Sequence, residues 1–366
     1  MNLGIKLKHQ YLRFFTLAIL LFVTACKGGE IKTESTETPS AVATPEEEEA
    51  RNYILVDGSS TIFPISDTIA QSFMEDNPNI QVIVGISSSG AGLKKFCIGD
   101  IDIGNASRAM KKSEIDLCQK NEIEFVEIPI AFDAIAVLGH IYNEWSDCLT
   151  LEELKKIWQP NDDAAENITQ WKQIREDFPE QPLNLYAPNT DSGTYDYFTD
   201  AVLGTPGKSR KDFKSSDDDN IIIQDIESDQ GSLGFLSFAY YQQNKDFLKL
   251  IAIDNGSGQC IEPSQEIVAN GNYSPLSRPL FLYVNKNSLE KMPAVKALVD
   301  YQMDATNKKV ISEAGYVPIS GALEVKLKER VQELTTGSVF EGESAVGVKL
   351  IDKYFSEKER KKMGDS

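Results

Sequence analysis

The sequence predicts an α/β fold with mixed, mostly parallel sheets flanked by helices, built as more than one domain. Three observations carry this expectation. From Tyr53 onward, short apolar runs of strand length alternate with amphipathic runs of helical period. Three of the strand-to-helix corners are packed with small hydroxyl residues and glycine: "DGSST" from Asp57, "SSSGAG" from Ser87 and "DSGT" from Asp191. The chain has 366 residues, 41% hydrophobic and 9% aromatic, which is enough for two cored domains at about 150 residues each.

In chain order, the first 25 residues read as an export signal. Lys6, Lys8 and Arg13 precede the apolar run Phe14 to Ala25, which is too short for a membrane span. It ends in "VTAC", which resembles a bacterial lipobox, so Cys26 is the expected lipidation site and the new N-terminus. Residues 26–50 are rich in Gly, Thr, Pro and Glu and almost without large apolar side chains, the composition of a flexible tether. The formal net charge is −19, and loss of the signal's three cations makes it more negative. That excludes nucleic acid as a partner and requires any bound anion to be held by short-range contacts.

Tyr53 to Val56 is an apolar strand, and Pro64 to Asn77 a helix with Pro64 in its first turn. Ile80 to Ile86 is a strand, a helix starts at Leu93, and Ile101 to Ser107 is a short strand and turn. Lys111 to Asn121 is helical, and Phe125 to His140 is a long, almost unbroken apolar stretch. Thr150 caps a helix over Leu149 to Gln159, and Leu183 to Ala187 is the strand before the third corner. Gly231 to Asn244 reads as an apolar helix, Phe247 to Asp254 and Arg278 to Val284 as strands, and Pro293 to Asp304 as a helix. The apolar runs at Ala134 to Leu138 and Leu280 to Val284 read either as crossings between two lobes or as ordinary central strands. Residues 351–366 form a charged tail.

Four cysteines remain after the signal, and an even count in an exported chain reads as disulfides with three possible pairings. Cys97 closes one amphipathic run and Cys118 lies in the next, a local clip that would leave Cys148 to Cys260. No CxxC spacing supports a metal, and no cofactor is expected.

The chemistry lies in the corners. A helix N-terminus presents unpaired N–H groups and a partial positive charge, and small residues let an anion reach them. Ser and Thr hydroxyls add further donors. Singly, each corner is an ordinary cap, but three after apolar strands point to an oxyanion cradle.

"DGSSTIFPI", "GISSSGAGLKKF", "IDIGNASR" and "TDSGTYDYF", in that order, together with "LTLEELKKIW" and "PLSRPLFLYV", resemble the phosphate-binding proteins of bacterial phosphate ABC importers, the PstS family. The resemblance implies a two-lobed, hinge-linked periplasmic-binding-protein fold of type II, closing on one inorganic phosphate. With it, residues 51–137 plus 280–350 are expected as lobe I and 138–279 as lobe II. It also implies docking on a membrane permease with its ATPase, as a monomer anchored to a bacterial membrane through the lipid on Cys26. Carried over position by position, it nominates Ser60, Thr61 and the N–H of Ile62, then Ser88 with Ser89, then Ser192, Gly193 and Thr194. Where well-known members have a carboxylate, "NASR" has Arg108, and where they have an arginine before the third corner this chain has Pro188 and Asn189. The expectation is therefore an exchange of charges. Arg108 supplies a bidentate guanidinium, and Asp191 accepts the proton that hydrogen phosphate carries and sulfate lacks, with Asp57 in reserve.

Other chemistries fare worse. A secreted phosphatase would need a nucleophile and base, yet His140 is the one histidine left after the signal, and no GxSxG accompanies any serine. Ser288 and Lys291 satisfy SxxK without its companion motifs, and "DDDN" from Asp217 reads as a surface loop. A binder of sulfate or molybdate would differ in the proton acceptor alone.

Overall fold

A computed structural model describes residues 51–160 and 168–364 of the chain. The export signal, Cys26 and the tether lie outside the described residues. Among the described residues, no helix is long and apolar enough to cross a membrane.

Strand β1 (Tyr53–Gly58) buries Ile54 and Val56, and Pro64 opens α1 (Phe63–Asp76), which turns Ile65, Ile69 and Phe73 inward. β2 (Gln81–Val84) leads to α2 (Ser89–Cys97), whose first turn is capped by the Ser88 hydroxyl accepting from the Ala91 N–H. β3 (Ile103–Ala106) and α3 (Lys112–Lys120) follow, and β1 pairs in parallel with both β2 and β3. The long apolar stretch is one strand, β4 (Phe125–His140).

β5 (Cys148–Thr150) runs into α4 (Leu151–Trp158), where Thr150 and Glu153 form a reciprocal capping box. β6 (Asn184–Pro188) and α5 (Gly193–Leu203) flank the third corner. Next come β7 (Lys214–Ser216), α6 (Asp219–Ser228), β8 (Ser232–Ser237), α7 (Phe238–Asn244), β9 (Leu248–Asp254), β10 (Cys260–Ile261) and α8 (Gln265–Ala269). β11 (Ser277–Asn285) returns to the first half of the molecule. It is followed by α9 (Lys286–Lys291), α10 (Pro293–Gln302), α11 (Lys308–Glu313), β12 (Val317–Pro318) and α12 (Gly321–Gln332). The charged C-terminus forms α13 (Leu350–Tyr354) and α14 (Glu357–Met363), and Leu350 and Tyr354 are buried.

The main strand order is β2-β1-β3-β11-β4-β8-β6-β7. The first half of β4 pairs with β11, and its second half lies between β8 and β9. One strand therefore belongs to both halves of the sheet, and it is antiparallel to its main partners. This makes the sheet mixed, as the sequence led one to expect, with β1, β2, β3 and β6, β7, β8 supplying its parallel pairs.

The run Gly231 to Asn244 is not one helix but β8 followed by α7. β8 is buried throughout, so it carries no period-2 alternation to mark it as a strand. A Cβ at Gly234 would stand 2.7 Å from the Tyr186 carbonyl oxygen, so the inter-strand contact itself requires glycine. Disulfides join Cys97 to Cys118 and Cys148 to Cys260. The second closes a loop of 112 residues, which on the chain-entropy model stabilises by roughly 4–5 kcal/mol.

Candidate functional site

The three corners meet. Thr61, between β1 and α1, and Thr194, in the first turn of α5, share a hydrogen bond at 3.1 Å between their hydroxyls. Ser89 in α2 accepts from the Ser107 N–H at 3.0 Å, and the Ser107 hydroxyl also accepts from Ser59 at 3.0 Å. Gly193 lies directly against this serine group: a Cβ there would stand 2.3 Å from Ser89 Oγ and 2.5 Å from Ser107 Oγ. No side chain fits, so glycine at this position lets the N-terminus of α5 reach the other two corners. Ser192 caps α5 by accepting from the Thr194 N–H at 3.1 Å.

Beneath the hydroxyls, where β4 passes from one sheet half to the other beside the start of β11, Asp133 faces Arg278 in register. Arg278 is completely buried and donates through Nε and Nη2 to Asp133 Oδ2 at 3.1 and 2.8 Å. Its other bonds go to neutral acceptors, Thr61 Oγ1 at 3.2 Å and the Ser107 carbonyl at 3.4 Å. Burial pushes the Asp133 carboxyl upward, against the pull of the Arg278 guanidinium.

A second buried carboxylate closes the far wall. Asp219, the first residue of α6, accepts from the Ser60 hydroxyl at 2.9 Å. Burial pushes its carboxyl up to about 7, with the Ser60 bond and Arg278 pulling the other way. Tyr240 and Tyr316 hold the first corner from below, donating to the carbonyls of Ser60 and Thr61 at 3.1 and 2.5 Å.

The structure thus brings together Ser60, Thr61, Ser89, Gly193 and Thr194, with Ser88 and Ser192 as the caps that fix their helices. Four expectations change. The Ile62 N–H is engaged in a local turn with the Ser59 carbonyl at 3.1 Å. Asp191 is exposed, and its backbone carbonyl, not its carboxylate, meets the second corner by accepting from the Gly90 N–H at 3.1 Å. Asp57 is taken by Ser87, by the Gly58 N–H and by an ion pair with Lys95.

The fourth concerns Arg108, which is buried and cannot offer a free fork. Its Nε reaches Asp196, Nη1 reaches Glu114 and the Ala109 carbonyl, and Nη2 reaches Glu114. Of the five N–H groups of a guanidinium, one on Nη2 remains, on the nitrogen 3.8 Å from where a Cβ of Gly90 would sit. Although burial pulls it down, Glu114 and Asp196 together hold the Arg108 guanidinium above its ordinary value.

Sequence reasoning passed over Arg278, Asp133 and Asp219. The first two had a signal: Arg278 is the lone charge of the apolar run in β11, Asp133 shares the apolar run of β4 with Glu127 alone, and a charge in such a run demands a partner. Asp219 had none, because "DDDN" has the composition of a loop; its neighbours Asp218 and Asn220 are indeed exposed. Among the described residues, no cluster of His, Cys, Asp and Glu could hold a metal ion.

A crossed two-part sheet with helix N-termini converging on the crossing defines a periplasmic-binding-protein-like receptor. Residues 43–306 match the model of the PBP superfamily domain. The chain is 42% identical over 302 residues to Protein SphX of Synechococcus elongatus, covering 82% of this chain and 88% of that one. It is 32% identical over 263 residues to the phosphate-binding protein PstS of Staphylococcus haemolyticus, covering 71% and 79%. The crystal structure of a possible phosphate binding protein from Planctomyces limnophilus superposes with a TM-score of 0.58 at 33% identity, covering 77% of this chain and 98% of that one. The chain belongs to the PBP superfamily and, within it, to the PstS family of binding proteins, which are receptors and not enzymes.

Proposed function

We propose that this chain binds inorganic phosphate between its two lobes and delivers it to the permease and ATPase of an ABC importer. The observation that carries the reading is the hydroxyl group around buried Arg278, which bonds Thr61 and the Ser107 carbonyl directly, Thr194 joining through Thr61 and Ser89 through Ser107. Hydroxyls and a guanidinium are the donors a tetrahedral oxyanion needs. The bonds Arg278 makes to the Thr61 hydroxyl and the Ser107 carbonyl are to neutral acceptors, and an anionic oxygen is the stronger acceptor. Arg108 adds its one remaining N–H from the side of the second corner. A net charge of −19 leaves binding to these short-range contacts.

In this reading Asp219 takes over the part first assigned to Asp191. Ionised above about pH 7, its carboxylate accepts the proton of hydrogen phosphate, and a sulfate oxygen brought to the same place has no proton to give. The phosphate-binding PstS relative supports phosphate as the ligand, and the importer as partner rests on the family resemblance of the corner motifs. The crossing at Asp133 and Arg278 supports lobes of residues 51–137 plus 280–350 and 138–279. Export and anchoring through Cys26, with the protein acting as a monomer, complete the proposal and rest on the signal, the VTAC motif and the tether composition.

Equilibrium dialysis of the purified chain against labelled phosphate, with sulfate and molybdate as competitors, tests the function. Saturable phosphate binding that a large excess of sulfate leaves in place is the expected result. Preferential retention of sulfate or molybdate would reassign the ligand, and no anion binding at all would overturn the reading.

A further inference from the structure

One face of α5 is gripped from the other half of the molecule at two points one helical turn apart. Asp196 is 2% exposed and receives Arg108 Nε at 2.8 Å and Lys111 Nζ at 2.6 Å, both from the segment between β3 and α3. Asp200, four residues on, accepts from the hydroxyl of Ser344 in the C-terminal segment. That segment is itself fixed to the first half of the sheet. Val339 N–H and Tyr354 OH each donate at 3.0 Å to Glu127, a fully buried carboxylate on β4. Gly342 lies flat on Lys112, where a Cβ would stand 2.7 Å from the lysine Cα.

The burial of Asp196 depends on this grip. Its Oδ1 is buried without a hydrogen-bond partner, so Oδ2 and its two cations offset the desolvation alone. Separating α5 from the Arg108 segment would return the carboxylate to water and remove both cations. The contact is therefore favourable in the closed arrangement and lost in an open one, which is what a two-state closure needs. Arg108 also links it to the ligand cradle. Three of the guanidinium's N–H groups are held by Glu114 and Ala109 and one by Asp196, and the last is on the nitrogen near Gly90.

Resting on the phosphate-binding reading, we propose that Asp196 is the lobe II half of a closure latch, a positioning residue that holds the lobes shut without touching the ligand. Asp200 with Ser344 forms a weaker second catch. The latch sets how long phosphate stays bound, and the association step, which occurs before the lobes meet, is insensitive to it.

Stopped-flow binding and small-angle scattering on the full chain test this with Asp196→Asn, Lys111→Met and Ser344→Ala. Asp196→Asn is expected to speed phosphate release by about tenfold or more, with the association rate within about twofold of the parent. Lys111→Met, at a half-exposed lysine that leaves the core untouched, should speed release by about threefold, and Ser344→Ala by less. The phosphate-free Asp196→Asn chain should also show a larger radius of gyration, a readout that needs no ligand. Unchanged release and unchanged radius in both Asp196→Asn and Lys111→Met would overturn the latch. Should Asp196→Asn fail to fold, Lys111→Met decides alone. If the parent chain binds no phosphate, the functional reading falls, and the radius still judges the latch.

Discussion

The molecule buries two arginines near its cleft, and they are used differently. Arg108 bonds to two carboxylates, Glu114 and Asp196, and Lys111 joins the same group, so its charges balance within the protein. Arg278 bonds to one carboxylate, Asp133, and otherwise to a hydroxyl and a carbonyl. Bonds between charged partners are about twice as strong as neutral ones and hard to exchange. The lesson is that a buried arginine's availability is set by what it already holds. Arg108 is built as a connector between elements, and Arg278 as a donor whose neutral partners an anion can replace.

The largest expected effect separates the two. Arg278→Lys keeps a cation beside Asp133 but loses the planar fork, and should weaken phosphate binding by about 100-fold. Arg108→Lys should cost about tenfold at most, seen mainly as faster release. Calorimetric titration of both variants measures this, and equal losses would erase the distinction.

Asp219 gives the next effect. Asp219→Asn should narrow the preference for phosphate over sulfate by about tenfold, which competition dialysis reads directly. It should also change how stability depends on pH. Burial holds the folded carboxyl at about 7, above the roughly 4 of an unfolded aspartate. Over that window the folded chain keeps a proton that the unfolded chain has released. Stability of the phosphate-free protein should thus fall as pH rises from about 4 to about 7, and Asp219→Asn should remove that part of the slope. Urea denaturation at several pH values checks it, and identical slopes in the two chains would contradict it. The smallest effect belongs to Asp191→Asn. Its exposed carboxylate predicts less than about twofold change in affinity, and a collapse of the phosphate preference would restore it to the site.

Much of this was legible in the sequence. The corners at Ser59, Ser88 and Ser192 announce themselves by small hydroxyl residues before amphipathic runs, and Thr150 marks its helix as the N-terminal cap. What stayed hidden depends on neighbours distant in sequence. β8 could not be told from a helix, because a strand covered on both faces loses its alternation. Arg108 and Asp191 looked like ligands because their positions in the motifs were informative, but the bonds of Arg108 to Glu114 and Asp196, and the exposure of Asp191, come from packing. Asp219 became a site residue through the Ser60 contact across 159 positions of chain.

A crystal structure of the chain grown with phosphate tests the central claim most directly. The account predicts one anion bonded by the hydroxyls of Thr61, Ser89 and Thr194 and by Arg278, with a protonated oxygen turned toward Asp219. Phosphate bound elsewhere, or bound there with Arg278 still closed on Thr61 and Ser107, would contradict it.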